Sequence, residues 1–264
     1  MTESGVAPSS SEAAIEARRA EVRGATDALR ADFPHELNVA YGDHPLQVLD
    51  LYSPATPVTG APVLVWLHGG GFRRGAPAVD GYNGRPYLER GALFASMGYR
   101  LAPEVRFPDS CDDVELGLRW LVEHVRNRGG DPEKIFLAGH SAGAMLAAAV
   151  GFHLDLVKGL VLISGFYDVS DHPDEIVNRA SSRYHARQID AIERLPGHTI
   201  LIVGDDDLPA AMPSALELQE AIRARGGFVT LFVEPYANHY AANRGFHTRS
   251  TQVSNAVARM LSLP

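Results

Sequence analysis

The sequence predicts an α/β fold, in which a mostly parallel β-sheet is covered by helices on both faces. Apolar runs of strand length alternate along the chain with segments of helical periodicity. The run at residues 62–67, PVLVWL, is apolar throughout, which is typical of a strand buried on both faces. Length and composition agree with this class, because 264 residues with 45% hydrophobic and 21% charged residues fit one large globular domain.

Residues 1–35 are predicted to form an N-terminal helical segment. Residues 9–31 carry apolar side chains on one stripe, and Ser9 with Glu12 fits a capping box at the start of the helix. This helix either lies across a pocket, as part of a small helical cap, or packs on the side of the domain. The polar segment 165–198 is the second candidate for the cap.

Residues 36–264 are expected to form one α/β domain. It opens with a hairpin, because apolar positions alternate over residues 37–41 and 47–52. Later strands are predicted at residues 62–67, 135–138, 160–163, 199–203 and 228–233. Helices are predicted around residues 86–97, 112–128, 142–152, 214–225 and 251–261. Ser214 and Glu217 form a second capping box at the start of the fourth of these helices.

Charge and cysteine content exclude several classes of function. A net charge of −8 repels nucleic acids and anionic membrane surfaces. The single cysteine, Cys111, excludes an internal disulfide and a cysteine-based zinc cluster, and no two histidines have the spacing of a metal site. The N-terminus has no secretory pattern, and the most apolar stretch, 142–152, is about half as long as a membrane span. We therefore expect a cytoplasmic protein without metal.

The pentapeptide GHSAG at residues 139–143 carries the strongest chemical signal. It stands between a predicted strand and a predicted helix, which is the context of a nucleophile elbow. Small residues are needed there because the turn leaves no room for side chains, and a strained backbone presents the Ser141 hydroxyl at the N-terminus of a helix. Ser141 is therefore predicted to be a nucleophile; the alternative is a chance occurrence of the pattern.

A glycine-rich loop, His68-Gly69-Gly70-Gly71, follows the strand at 62–67. Such a loop lets two backbone N–H groups point at one position, which is how the oxyanion of a tetrahedral intermediate is held. A plain glycine turn and a phosphate loop are the alternatives, although no Gly-Lys-Ser/Thr follows. Together with GHSAG, this loop predicts acyl-transfer chemistry.

A serine nucleophile needs a base and an orienting acid, and in this fold class both follow the serine in the chain. The loop after the strand at 199–203 carries three aspartates, any of which fits: Asp205, Asp206 and Asp207. His239 follows the next strand and is favoured as the base over His247, which lies nearer the last helix.

Several further residues are candidates for the walls of a substrate pocket. The predicted substrate-binding residues are Phe72, Tyr82, Tyr87, His140 and Tyr240. Core packing explains the first three aromatic residues almost as well. Cys111 is interpreted as a partly buried thiol and not as a nucleophile, since no second constellation surrounds it.

These motifs resemble those of the hormone-sensitive-lipase-like branch of the α/β-hydrolase esterases. HGGGF at 68–72, YRLAPE at 99–104 and GHSAG at 139–143 occur in the family's order, and the resemblance covers residues 36–262. It implies an α/β-hydrolase fold, with the YRLAPE segment supporting the site without reacting. It also implies roles for individual residues: oxyanion N–H groups from Gly70, Gly71 and Ala142, Asp207 as the acid and His239 as the base.

Two other stretches resemble a neighbouring branch, the arylformamidases (kynurenine formamidase-like enzymes). They are YGDHPLQVLDLY at residues 41–52 and SGFYD at 164–168. That branch tends to carry an aromatic pair after two glycines in the oxyanion loop. Gly71-Phe72 is nearer to the esterase pattern.

One departure from the family concerns the sheet. Family members place a buried apolar strand before YRLAPE, whereas Gly98 here follows the end of a predicted helix and leads directly into Tyr99. A strand needs about five residues. The sequence therefore predicts that one family strand is missing near Gly98-Tyr99.

The motifs predict a serine carboxylic-ester hydrolase that acts on small or short-acyl esters through a Ser-His-Asp triad and an acyl-enzyme, without cofactor. No large apolar face is evident, which disfavours a lipase acting at a lipid surface. An arylformamidase or amidase with the same triad is the first alternative. A non-catalytic ligand-binding protein is the second alternative, which the missing strand leaves open although the intact Ser/Asp/His set argues against it. The C-terminal strand and helix are candidates for a homodimer contact.

Overall fold

The computed structural model describes residues 12–170, 172–174, 176–177, 184 and 187–264. In these residues eight strands form one sheet. The strands are β1 (His35–Ala40), β2 (Val48–Tyr52), β3 (Ala61–Leu67), β4 (Leu93–Met97), β5 (Gly130–His140), β6 (Val157–Ile163), β7 (His198–Asp206) and β8 (Val229–Asn238). Their order across the sheet is β1-β2-β4-β3-β5-β6-β7-β8. β1 and β2 pair antiparallel as the predicted hairpin, β2 pairs antiparallel with β4, and all later pairs are parallel.

The helices are α1 (Glu12–Asp32), α2 (Arg85–Leu88), α3 (Phe107–His124), α4 (Ala142–Gly151), α5 (Ala211–Ala224), α6 (Arg244–His247) and α7 (Gln252–Met260). They cover both faces of the sheet. Alternate residues of β3 divide between two buried clusters: Val63, Val65 and Leu67 pack with α3, α4 and α5, while Leu64 and Trp66 pack with α1, α6 and α7. The α/β class with helices on both faces is confirmed, since period-2 alternation places apolar side chains on each face.

The strand predicted to be missing is present, and that prediction was wrong. β4 (Leu93–Met97) lies between β2 and β3, where the family places it, and all five of its residues are buried. These residues lie in the helix predicted around residues 86–97, but α2 ends after one turn at Leu88. Gly91, with φ of 96°, turns the chain into β4. The buried Ser96 fits this strand because its hydroxyl donates to the carbonyl of Pro77.

The start of α5 also differs from the prediction. The helix begins at Ala211 with Ala210 as its N-cap, three residues before the predicted capping box at Ser214 and Glu217. The Ser214 hydroxyl instead accepts a hydrogen bond from the N–H of Tyr167, at 2.9 Å. This serine therefore anchors the chain that follows β6.

The N-terminal helix α1 packs on one face of the sheet. Arg30 donates to the Asp50 carboxylate in β2 and to the carbonyl of Ala78, and Thr26 donates to the carbonyl of Val79. Ser9 of the predicted capping box lies outside the described residues. Segment 165–198 is described only in part, and its described residues contain no helix. The cap role of both segments stays a prediction.

Candidate active site

Ser141 lies on a sharp turn between β5 and α4. Its φ of 54° and ψ of −122° are strained for a residue with a side chain, and its N–H donates to the carbonyl of Ile163 at 2.8 Å. The flanking glycines have no free space. A Cβ at Gly139 would lie 2.4 Å from the carbonyl carbon of Gly143, and one at Gly143 would lie 2.1 Å from the oxygen of Leu67. The turn thus has the crowding that the GHSAG pattern predicts.

The structure brings Ser141, His239 and Asp207 together. The hydroxyl of Ser141 lies 3.0 Å from Nε2 of His239, and Nδ1 of His239 lies 2.8 Å from Oδ1 of Asp207. Because a carboxylate only accepts hydrogen bonds, Nδ1 carries the proton and Nε2 is free to accept from the serine. A serine hydroxyl, an imidazole and a carboxylate therefore form one continuous hydrogen-bonded chain.

Four donors hold the Asp207 carboxylate. Besides His239, the N–H of Leu208 donates to Oδ1, while the hydroxyl of Ser164 and the N–H of Gly204 donate to Oδ2, at 2.5 and 3.2 Å. Burial by itself would raise the pKa of Asp207, but the hydrogen bonds from His239, Ser164 and Leu208 lower it to about 2. The acid is therefore ionised at neutral pH.

The other candidate acids and the other candidate base have different surroundings. Asp205 accepts from the backbone N–H groups of Tyr236 and Ala237, which lower the pKa of this exposed carboxyl. Asp206 is exposed at the end of β7. The ring of His247 packs edge-on against Tyr82, with 5.0 Å between ring centroids.

The glycine loop lies against Ser141. A Cβ on Gly69 would be 3.3 Å from the Cβ of Ser141, and Gly70 and Gly71 have φ of 123° and 62°. Within the described residues, the N–H groups of Gly70 and Gly71 have no hydrogen-bond acceptor. The N–H of Ala142, as the first residue of α4, has no acceptor within its helix. Three backbone donors, two in the glycine loop and one next to Ser141, are therefore unpaired within the described residues.

The YRLAPE segment contacts the start of this loop. The hydroxyl of Tyr99 donates to the carbonyl of His68 at 2.6 Å, and the two rings stack with 4.3 Å between centroids. Arg100 donates through its side chain and its N–H to the buried Asp113 carboxylate on α3, which also accepts from Gln47. The loop is thereby connected to α3 through a buried ion pair.

A profile of the α/β-hydrolase fold matches residues 64–239, a span that contains Ser141, Asp207 and His239. The chain belongs to this family. It is 32% identical over 160 residues to a probable isoprenylcysteine alpha-carbonyl methylesterase of Oryza sativa, a match that covers 55% of this chain and only 39% of the rice protein. It is 25% identical over 223 residues to the kynurenine formamidase of Salmo salar, covering 77% of this chain and 74% of that protein.

Among solved structures, this α/β-hydrolase is similar to esterase B from Lactobacillus rhamnosis, with a TM-score of 0.75. The two chains are 22% identical, and the superposition covers 95% of this chain and 92% of the other. At this identity the likeness shows the fold alone. No helix in the described part of the chain is long and apolar enough to cross a membrane, and the same residues contain no cluster of potential metal ligands.

Among the predicted pocket residues, Tyr240 contacts His239, and Phe72 follows the glycine loop. Tyr240 is 57% exposed and meets His239 edge-on, and Phe72 is buried between Phe107 and His172. Tyr82 accepts a hydrogen bond from Asn243. These positions leave their substrate-binding role a prediction.

Tyr87 does not line a pocket, which corrects the sequence analysis. Its side chain is fully buried in the cluster that packs beneath α1, α6 and α7, and its hydroxyl donates to the carbonyl of Phe246. The aromatic ring contributes apolar surface to the core, and its hydroxyl is satisfied there.

Two residues that contact Asp207 and His239 were not predicted from the sequence. Ser164 donates to Asp207, and the ring of Phe166 stacks on His239 with 6.1 Å between centroids. Both belong to SGFYD at residues 164–168, a segment that resembles the arylformamidases and for which the sequence predicted no role in the site. Its position after a buried strand was the available signal, because residues there meet at the carboxyl edge of a parallel sheet.

Proposed function

We propose that this chain is a serine carboxylic-ester hydrolase, with Ser141 as nucleophile, His239 as general base and Asp207 as the residue that orients the base. The observation that carries the proposal is the pair of short contacts, 3.0 Å from Ser141 to His239 and 2.8 Å from His239 to Asp207. The ionised state of Asp207 supports it, because an anion beside the imidazole stabilises the imidazolium that forms during attack.

The reaction would proceed through an acyl-enzyme. Ser141 Oγ attacks the ester carbonyl while His239 Nε2 takes the hydroxyl proton, and the oxyanion is held by N–H groups of Gly70, Gly71 and Ala142. His239 then gives the proton to the leaving alcohol as the C–O bond breaks. Water attacks the acyl-enzyme with His239 again as base, which releases the acid and restores Ser141.

The substrate class we propose is small or short-acyl esters. Among the described residues, the exposed large apolar side chains are distributed over β1, α3, α5, β8 and neighbouring loops, which supports this class over a lipid surface. They are Leu37, Leu116, Leu208, Leu216, Phe228, Val233, Tyr236 and Tyr240. The esterases among the similar proteins support ester chemistry. The expected homodimer and cytoplasmic location stay predictions.

The first test is labelling with a fluorophosphonate probe, which reacts with activated serines. We expect one adduct on the peptide that contains Ser141, loss of labelling in Ser141→Ala, and loss of ester hydrolysis in the same variant with an unchanged far-UV spectrum. An active or labelled Ser141→Ala protein would contradict the proposal. An unlabelled, folded wild-type protein would also contradict it.

A second candidate function is hydrolysis of N-formyl aromatic amines by the same residues. The specific observation in its favour is that the fish kynurenine formamidase matches over 77% of this chain and 74% of its own length. Parallel turnover of phenyl acetate and N-formylkynurenine separates the two functions. A kcat/KM at least tenfold higher for the formamide would favour the second function. The non-catalytic alternative loses its main support, because β4 is present.

A further inference from the structure

His140 is a half-buried residue next to the nucleophile Ser141. The proposed mechanism does not use its imidazole. His140 is the last residue of β5, and its Nε2 lies 2.7 Å from the backbone oxygen of His239. The two rings are 4.8 Å apart between centroids. Because a carbonyl only accepts, Nε2 of His140 carries the proton and donates it to His239. The other nitrogen, Nδ1, faces the glycine loop, where a Cβ on Gly69 would lie 3.1 Å from it.

The neighbours of His239 in the chain are held by other bonds, since the N–H of Ala237 donates to Asp205 and the N–H of Tyr240 donates to the side chain of Asn238, but these bonds do not include the backbone of His239 itself. His239 follows β8, which is the last strand of the described sheet and pairs with β7 alone. The side chain of His239 is oriented by Asp207, but that bond fixes the ring and not the chain that carries it. Within the described residues, the carbonyl of His239 accepts from His140 and from no other group.

We infer that His140 is a positioning residue. Its Nε2–H donates to the backbone oxygen of the base His239 and so connects that residue to the strand that carries the nucleophile Ser141. The bond connects an inner strand to the loop after an edge strand, so that the distance between Ser141 and His239 does not depend on the edge strand alone. This inference rests on the proposed function for its catalytic consequence. It replaces the substrate-binding role that the sequence analysis predicts for His140.

The protonation state of His140 suits this role. Burial, together with the nearby His239, lowers the pKa of His140 to about 4. The side chain therefore stays neutral when His239 is protonated during the reaction, and it adds no second positive charge to the site. A neutral imidazole with its proton on Nε2 has one donor, and that donor is the one bonded to His239.

Three substitutions separate positioning from substrate contact. His140→Gln places an amide N–H near the position of Nε2 and keeps the bond to His239. His140→Asn places its amide near the position of Nδ1 and loses that bond, and His140→Leu keeps apolar volume without either group. Hydrogen–deuterium exchange of the peptide spanning 236–245 measures how firmly the loop is held, without requiring turnover. Steady-state kinetics with phenyl acetate measures the catalytic consequence.

We expect faster exchange in His140→Asn and His140→Leu and wild-type exchange in His140→Gln. In the kinetics, kcat should fall about 10- to 100-fold in the first two with KM within about threefold, because a displacement of about 1 Å costs up to this much. His140→Gln should keep kcat within about threefold. Wild-type exchange in both Asn and Leu variants overturns the inference, as does a rise in KM at constant kcat. If Leu does not fold, the Asn–Gln pair decides.

Failure of the proposed function has a different signature. In that case the wild-type protein neither hydrolyses esters nor reacts with a fluorophosphonate. The exchange experiment still reports on the hydrogen bond between His140 and His239.

Discussion

At the scale of single residues, Ser141 and Ser164 share an unusual backbone conformation. Each follows a buried parallel strand, with φ of 54° and 52°, and each donates its N–H to the next strand, to Ile163 and Ile202 respectively. Glycine adopts this conformation without strain, so a serine there indicates that its hydroxyl is needed. In Ser164 that hydroxyl bonds to Asp207.

Replacement of Ser164 by alanine tests whether its hydroxyl is needed. We expect kcat to fall about tenfold, since a hydrogen bond to a charged group contributes about 1.5–3 kcal/mol. The pKa of Asp207 is about 2, below its ordinary value of 3.8, so its carboxylate stabilises the fold at neutral pH and this stabilisation is lost as the pH falls from about 4 to about 2. In Ser164→Ala the pKa of Asp207 should lie closer to its ordinary value, so that less stability is lost over this pH range than in the wild-type protein, as measured by Tm between pH 2 and pH 7.

The matched control is Ser170→Ala, which removes an exposed serine bonded to the exposed carboxylate of Asp168. It should leave both kcat and the pH dependence of Tm unchanged. Equal behaviour of the two variants would show that the bond from Ser164 has no special role.

The choice among the three aspartates is also a prediction at this scale. Asp207→Asn should lower kcat about 10³- to 10⁴-fold, because an amide in place of the carboxylate favours the wrong imidazole tautomer. Asp206→Asn changes an exposed side chain and should keep kcat within about twofold. Steady-state ester kinetics on the two variants checks this, and a large loss in Asp206→Asn would reassign the acid.

At the scale of elements, β4 and β8 decide the geometry around the site. β4 fills the sheet between β2 and β3, and so it supports the strand that leads into the glycine loop. β8 carries an irregularity opposite Gly204–Asp206, where Asp205 binds the N–H groups of Tyr236 and Ala237. This bulge sets where His239 leaves the sheet.

Gly91 provides a test of how β4 begins. A Cβ there would have open space, with its nearest neighbour at 4.0 Å, but φ is 96°. Gly91→Ala should therefore cost about 1–2 kcal/mol of unfolding free energy through backbone strain alone. Gly24→Ala, in the exposed middle of α1, should stabilise by about 0.5–1 kcal/mol. Urea denaturation measures both, and equal signs would contradict the assignment of strain.

At the scale of the whole molecule, a buried ion pair connects segments that are distant in the chain. The Asp113 carboxylate on α3 is 1% exposed and is held by Arg100, which follows β4, and by Gln47, which precedes β2. Tyr99, next to Arg100, bonds to the start of the glycine loop at His68. One polar cluster thus joins the hairpin, α3 and the candidate site.

Removal of one partner should destabilise the whole fold. Arg100→Ala leaves the Asp113 charge buried and should cost about 3 kcal/mol of unfolding free energy. Lys134→Ala removes a cation from an exposed pair with Asp131 and should cost less than about 1 kcal/mol. The two values come from urea denaturation at pH 7. A loss below 1 kcal/mol in Arg100→Ala would show that solvent reaches Asp113.

Local sequence determined the features that depend on neighbours in the chain. The α/β class follows from the alternation of apolar runs, and the turn at Ser141 follows from glycines that no side chain can replace. The hairpin at β1 and β2 follows from its period-2 pattern. β4 was missed because LFASM is short and continues a helix-like stretch, so that only Gly91 marks the boundary.

Only the tertiary structure decided which side chains meet. Chain position does not distinguish Asp205, Asp206 and Asp207, of which the family resemblance alone implies Asp207, and the β7–β8 register with its bulge directs Asp207 toward His239. Tyr87 and His140 were both expected to line a pocket, but one is buried in the core and the other bonds to the backbone of His239. These outcomes depend on contacts between strands far apart in the chain, because a local pattern specifies the face of an element and not the partner that covers it.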